Sequence, residues 1–146
     1  MSRYAHERNW LAAVVSVLSS GNVGVATAAI QYGLSSVTAT TPRIAVRAVN
    51  QSRNSVQQAV SREYNHFSMD IECEVTTRRT DASQDHGAIV AAARWQFENA
   101  AQRLVAPTVT YYQLLEAWPV GSNRIIDAEQ REDSTVLNYR LTYAFA

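Results

Sequence analysis

The sequence predicts an α+β domain, in which a mixed or antiparallel sheet of about four strands carries a long helix on one face and a second helix at the N-terminus. Two segments, Phe67 to Thr76 and Val136 to Phe145, alternate apolar and polar residues as strands with one buried face do. Two others, Tyr4 to Leu18 and Ile89 to Leu104, repeat apolar residues at helical spacing. A length of 146 residues suits one domain with one core, so residues 1–146 are interpreted as a single domain.

The first helix is predicted over Tyr4 to Leu18, and the Ser-Ser-Gly sequence that follows provides its end. The next segment, Asn22 to Thr41, is ambiguous, because its Ala and Val residues could continue a helix while its Gly, Ser and Thr residues favour a loop. We expect a short helix there that ends near Gly33. The apolar stripe of the first helix consists of Trp10, Ala13, Val14, Val17 and Leu18.

The middle of the chain is predicted to contain two strands separated by an arm. Pro42 opens the first strand, Arg43 to Val49. Asn50 to Asn65 is polar and is predicted to form an extended loop or arm, whose length is unusual in a compact domain and typical of a functional segment. The alternating strand Phe67 to Thr76 follows, and the single Cys73 lies on its apolar face, where it acts as a small hydrophobic residue.

The second half of the chain is predicted to form a helix, a strand, a turn and two further strand segments. Asp85 suits the N-terminus of the long helix, and Pro107 ends it. Tyr111 to Trp118 has the composition of a strand, Pro119 to Asn123 that of a turn, and Ile125 to Asp127 could form a short return segment. This order fits a small sheet with the long helix packed on one face.

Composition and motifs argue against chemistry as the function. The 13 basic residues are all Arg, and they balance 13 Asp plus Glu. Binding to the phosphates of a nucleic acid needs clustered, uncompensated cations, so this composition disfavours a nucleic-acid-binding protein. His6, His66 and His86 are scattered and lack the spacing of a metal-binding pair, and the glycines match no phosphate-binding loop. We therefore predict no enzyme activity and no catalytic, cofactor-binding or metal-binding residue.

Three carboxylates, those of Asp70, Glu72 and Glu74, share one face of the alternating strand at intervals of about 7 Å. They could bind a divalent cation, although a single strand spreads its carboxylates too far to close a coordination shell alone. They could also solvate an outer face, the interpretation that we favour, or meet an arginine-rich surface of a neighbouring subunit.

Further charged and aromatic residues are candidates for contacts with a partner. Two arginines follow the acidic strand, and a charged segment precedes the last strand. Trp118 begins an apolar tip on the predicted turn, which either packs on the core or docks on a partner. The candidate subunit or partner interface consists of Arg53, Arg62, Asp70, Glu72, Glu74, Arg78, Arg79, Trp118, Arg124, Arg131, Glu132 and Asp133.

Three strings between Phe67 and Ala146 are informative when they are taken together. They are the acidic strand ending in Thr76-Thr77-Arg78-Arg79-Thr80-Asp81, the helix from His86 through Arg94 and Phe97, and Asp133-Ser134-Thr135-Val136 leading into Tyr139-Arg140-Leu141. In the order of their secondary-structure elements and in their pattern of residues, they resemble the tail terminator proteins of long-tailed bacteriophages, which are also called tail-completion or minor tail proteins.

The resemblance implies a small α+β subunit that closes into a ring, usually of six copies, at the head-tail junction. Such a ring caps the tail tube, stops its polymerisation and joins it to the head. The implied partners are other copies of the chain, the tail tube protein and the head connector or stopper protein, while DNA passes through the lumen without specific binding. The implied location is the virion, assembled in the host cytoplasm, with no membrane, no cofactor and no catalytic residues.

Two alternatives stay open at this stage. Asn22 to Thr41 is richer in Ala, Gly and Thr than we expect for that family, and the arm at 50–65 is long, so a connector stopper or a tube subunit also fits. A small enzyme or ligand-binding domain would use Asp70, Glu72, Glu74 and His86, but no second motif supports it.

Overall fold

The computed structural model describes residues 6–32, 41–53, 66–99, 112–127 and 131–145. These residues form a five-stranded mixed sheet in the order β1-β2-β3-β5-β4, in which β1 and β2 are parallel and the other neighbouring pairs are antiparallel. The predicted α+β class is therefore confirmed. The elements are α1 (His6–Ser20), a 3₁₀ turn (Thr27–Ala29), β1 (Ile30–Tyr32), β2 (Arg43–Arg53), β3 (His66–Arg78), α2 (His86–Asn99), β4 (Tyr112–Asp127) and β5 (Glu132–Phe145).

Strands β3 and β5 form the centre of the sheet, and both follow the alternation seen in the sequence. They pair antiparallel without a break from His66 opposite Ala144 to Arg78 opposite Glu132. Every second side chain points to the same face, so the apolar residues of both strands meet on one side of the sheet. The buried residues of that side are Met69, Ile71, Cys73 and Val75 of β3 and Leu137, Tyr139, Leu141 and Tyr143 of β5.

Both helices cover this apolar face, each through a large aromatic residue. Trp10 of α1 is 0% exposed, and its ring lies 5.0 Å from that of Tyr143. Phe97 of α2 stacks on Tyr139 with the ring centroids 3.9 Å apart. All five predicted stripe residues of α1 are buried, which confirms that helix over its described residues. Within the described ranges, neither helix is long and apolar enough to cross a bilayer.

The ends of the two helices are tied together by one side chain. Gln96 of α2 donates its amide to the carbonyl oxygen of Val17 at 3.0 Å and to Ser20 Oγ at 3.4 Å. The chain passes so close that a Cβ atom at Gly21 would lie 2.5 Å from Cδ of Gln96. Glycine directly after α1 therefore serves this close approach as well as the end of the helix. At the start of α2, Asp85 lies at the N-terminus as expected, and its Oδ1 accepts a hydrogen bond of 3.2 Å from the Ala88 N–H.

Three expectations about local structure were wrong. The short helix expected after α1 is replaced, up to Tyr32, by a 3₁₀ turn and strand β1. Strand β2 continues through Arg53, so residues 50–53 belong to the sheet and not to the predicted arm. The turn expected at Pro119 to Asn123, together with the return segment after it, lies inside the continuous strand β4.

Proline is accommodated in β4 because this strand forms an edge of the sheet and is bulged at that point. The register with β5 shifts between Leu114 and Glu116 and again between Pro119 and Gly121. An edge strand needs hydrogen bonds on one side only, so the missing N–H of Pro119 can face away from β5. The predicted residues 54–65 of the arm, the helix beyond Asn99 and the segment after Gly33 lie outside the described residues.

Candidate interaction surfaces

The face of the sheet that the helices leave uncovered carries a network of ion pairs. Arg47 on β2 lies between Glu72 and Glu74 of β3. Its Nε is 2.8 Å from Glu72 Oε2, and its Nη2 is 2.8 Å from Glu74 Oε2. Arg140 on β5 donates two hydrogen bonds, of 2.8 and 3.3 Å, to the carboxylate of Asp70. The three carboxylates do share one face, as predicted, and each is engaged by an arginine of the same chain.

A further pair extends this network to the start of β5. Arg43 Nη2 lies 3.3 Å from Glu132 Oε2, and both side chains are less than one-sixth exposed. No cluster of three His, Cys, Asp or Glu residues in the described parts of the chain could hold a metal ion. This face is therefore polar, and its ion pairs set four carboxylates against three guanidinium groups.

Arg47 should contribute measurably to stability because two carboxylates depend on it. We expect Arg47→Ala to lower the free energy of unfolding by about 1 to 2 kcal/mol, between the values typical of exposed and of buried ion pairs. The control is Arg94→Ala, since Arg94 makes a 3.8 Å pair with Glu98 and both side chains are well exposed. It should cost less than about 0.5 kcal/mol in urea unfolding. Equal losses in the two variants would contradict the role given to Arg47.

One end of the sheet gathers the other charged candidates. The Arg79 N–H donates to the carbonyl oxygen of Arg131 at 2.8 Å, which brings the connection before β5 beside the end of β3. Arg124 of β4 pairs with Asp133 of β5 at 3.0 Å. The ion pairs among the described residues do not include Arg78, Arg79 or Arg131, all of which are exposed. Among the predicted interface residues whose side chains the structure describes, these three arginines are exposed cations available for an external contact.

His86 has a structural position on the opposite side of the sheet from the acidic row. Its two ring nitrogens lie 2.8 Å from Thr77 Oγ1 and 2.7 Å from Thr135 Oγ1, so the ring joins the start of α2 to β3 and β5. Thr77 shares the helix-covered face, whereas Asp70, Glu72 and Glu74 lie on the other. These four residues of the enzyme hypothesis therefore do not meet in one site.

This position of His86 predicts a dependence of stability on pH. Burial lowers the pKa of His86, with the nearby Asp133 carboxylate acting in the opposite direction. The unfolded chain then binds a proton more readily than the folded one, so stability is lost as the pH falls from the unfolded pKa of about 6.5 towards and through the lower folded pKa. We expect the free energy of unfolding to decrease between about pH 7 and pH 5, and the decrease to be smaller in His86→Gln. Equal slopes for the two proteins would rule out this linkage.

The sheet has two unlike edges. Strand β1 pairs only with Ile44 to Val46, so the rest of β2 has no further neighbour among the described strands. On the other side, β4 pairs with β5 alone. Unpaired edges of this kind can accept another strand unless something covers or distorts them. The large apolar residues exposed near these edges are Tyr32, Val49, Val120, Ile125 and Ile126.

A small cavity lies beside the second bulge of β4. It has a volume of about 90 Å³ and lies between α2 and the sheet. Its lining combines Arg94 of α2 with residues of β4 and with Leu137 and Tyr139 of β5. The cavity is too small for a cofactor, because ligand pockets for drug-sized molecules have volumes of roughly 300 to 1,000 Å³. It could take one small apolar side chain.

For two of the remaining predicted interface residues the structure gives the position in a strand, and a third lies outside the described residues. Trp118 stands in β4 opposite Arg140, and Arg53 ends β2 opposite Phe67, while Arg62 lies outside the described residues. Sequence reasoning missed the exposed Val49, Ile125 and Ile126. A signal was available, because Ala48-Val49 and Ile125-Ile126 each set two apolar residues in succession, so both members cannot share one buried face.

Comparison with solved structures finds a chain with a similar fold. A chain from the virion of a native gene transfer agent particle superimposes with a TM-score of 0.57 over 98% of this chain and 99% of that one. The two chains share a fold. Their sequences are 12% identical, so the likeness concerns the fold alone. No protein-family model and no curated protein matches the sequence.

Proposed function

We propose that this chain is a structural virion protein of a phage-like particle, and that its copies close into a ring at the head-tail junction. In this proposal the ring, of about six copies, caps the tail tube, stops its polymerisation and joins it to the head connector or stopper. The observation that carries the proposal is the shared fold with a chain of a gene transfer agent virion, which extends over nearly the whole length of both chains.

The distribution of functional groups supports a structural role. The histidine and the carboxylates that would serve an enzyme are separated by the sheet and are each engaged in contacts within the chain. The outer face sets its carboxylates against Arg43, Arg47 and Arg140. If DNA passes through the ring, a wall on which these arginines are paired with carboxylates would not hold the phosphate backbone, since retention needs uncompensated cations. This face is our candidate for the lumen.

Solution mass tests the proposal directly. Light scattering of the purified chain should give a mass that is a whole multiple of 16.2 kDa, and negative-stain images should show closed rings. Addition of the rings to growing tail tubes should stop elongation at one ring per end. A chain that stays monomeric at high concentration and never associates with tubes would overturn the proposal.

A tube subunit is the main competing assignment within the same class of protein. It predicts that the purified chain polymerises by itself into tubes of indefinite length, because each ring would offer a face for the next. A terminator should instead form a single ring that does not stack. The same light-scattering and imaging experiment therefore separates the two assignments.

A further inference from the structure

The two edges of the sheet carry a matching feature at the same height. Val49 is the residue that the β2–β3 register skips between Ala48 and Asn50, and Val120 is skipped between Pro119 and Gly121 in the β4–β5 register. Both valines are more than half exposed, at 57% and 53%. The pairings link Ala48 through Ile71 and Tyr139 to Pro119, so the two bulges stand level across the sheet.

Strand direction also matches between the edges. Strand β4 is antiparallel to β2 across the sheet, so two copies standing side by side in the same orientation would bring these edges together antiparallel.

From this match we propose that the β4 edge of one copy docks against Arg47 to Arg53 of a second copy, the part of β2 that has no outer neighbour among the described strands, with Val120 packed on Val49. This contact is heterologous, because it joins two different surfaces, and repeated rotation can close it into a ring. It deepens the proposed function and rests on it for the closure of the ring. The cavity beside Pro119 and Gly121 gives the neighbour's valine a place to enter.

The bulges are compatible with such a contact, although bulges are a known means of protecting edges from pairing. A bulge increases the local twist and bends its strand. Bending discourages the flat, unlimited pairing that leads to fibres, whereas a closed ring needs a change of direction at every junction. A bulge on each edge, at the same height, therefore favours a curved junction over an extended sheet.

Cross-linking with cysteines at the two bulges tests the contact. Within one chain, β2 and β4 are three inter-strand steps apart, which is about 14 Å and beyond the reach of a disulfide. Any disulfide between positions 49 and 120 must therefore join two copies. The natural Cys73 should not interfere, since burial raises the pKa of its thiol to about 12.

We would mix Val49→Cys and Val120→Cys proteins under mild oxidation and analyse them by non-reducing electrophoresis. The expected result is that the mixture forms at least ten times as much disulfide-linked dimer as either variant forms by itself. The matched control mixes Val49→Cys with Ala88→Cys, because Ala88 is exposed on α2 away from the edge. A mixture that cross-links no better than this control, or Val120→Cys that cross-links mainly to itself, would overturn the proposal.

Charged substitutions at the two valines provide a second measurement that does not depend on disulfide geometry. Val49→Asp and Val120→Asp should each weaken association by at least about fivefold, because a carboxylate is costly to bury in an apolar contact. The same experiments separate a failure of the contact from a failure of the ring. Open chains of variable length that carry the mixed disulfide would support the contact and refute the ring. Closed rings that form without the disulfide, and that are unaffected by either substitution, would refute the contact and support the ring.

Discussion

Replacing Trp10 by alanine should lower the free energy of unfolding by about 3 to 5 kcal/mol, one of the two largest effects that we expect from a single substitution in this chain. The side chain is completely buried and joins α1 to the sheet through Tyr143. Its removal leaves a cavity between two layers that the rest of α1 cannot fill. Urea unfolding followed by fluorescence and circular dichroism, at one fixed protein concentration, would measure the loss.

Trp95 provides the matched control for this experiment. It lies on α2, and 65% of its surface is exposed, so Trp95→Ala should change the free energy of unfolding by no more than about 0.5 kcal/mol. A loss for Trp10→Ala as small as the one expected for Trp95→Ala would show that the layer formed by α1 contributes little to the fold.

Replacing Phe97 by alanine should have an effect of similar size, about 3 to 5 kcal/mol, because this residue anchors α2 on β5. Its ring is 2% exposed and stacks on the buried Tyr139. Phe97→Leu keeps most of the apolar volume and should cost only about 1 to 1.5 kcal/mol, which includes the loss of the aromatic contact. Thermal and urea unfolding of both variants would test this order. An alanine variant as stable as the leucine variant would mean that α2 is held by other contacts.

The central strands could be predicted from sequence because one of their faces is buried and the other is wet. Met69 to Val75 and Leu137 to Tyr143 keep strict alternation, and the structure pairs these two strands along their whole length. Edge strands obey no such rule. In β4 the apolar residues do not alternate, and Pro119 and Gly121 have the composition of a turn. The segment is extended because it pairs with β5, and this pairing cannot be recognised from the composition of β4.

The candidate interface could be predicted in part, for a related reason. The row formed by Asp70, Glu72 and Glu74 follows from the period of a single strand. Its partners, Arg47 and Arg140, depend on how three strands align, and a shift of one residue would turn them to the other face. Exposure of Val49 and Val120 depends on two bulges; the Ala48-Val49 pair indicates that both residues cannot share one buried face, but it does not fix where the register shifts.

The order of the strands also has a consequence for biosynthesis. Strand β5 lies between β3 and β4, although it follows both in the chain. Among the described strands β4 has no other neighbour, so it cannot join the sheet until β5 has been translated and inserted. A nascent chain that stops before Glu132 would lack the strand that carries β4. In the assembly that we propose, incomplete copies would therefore be unable to present the β4 edge, and only polypeptides translated through β5 could be incorporated.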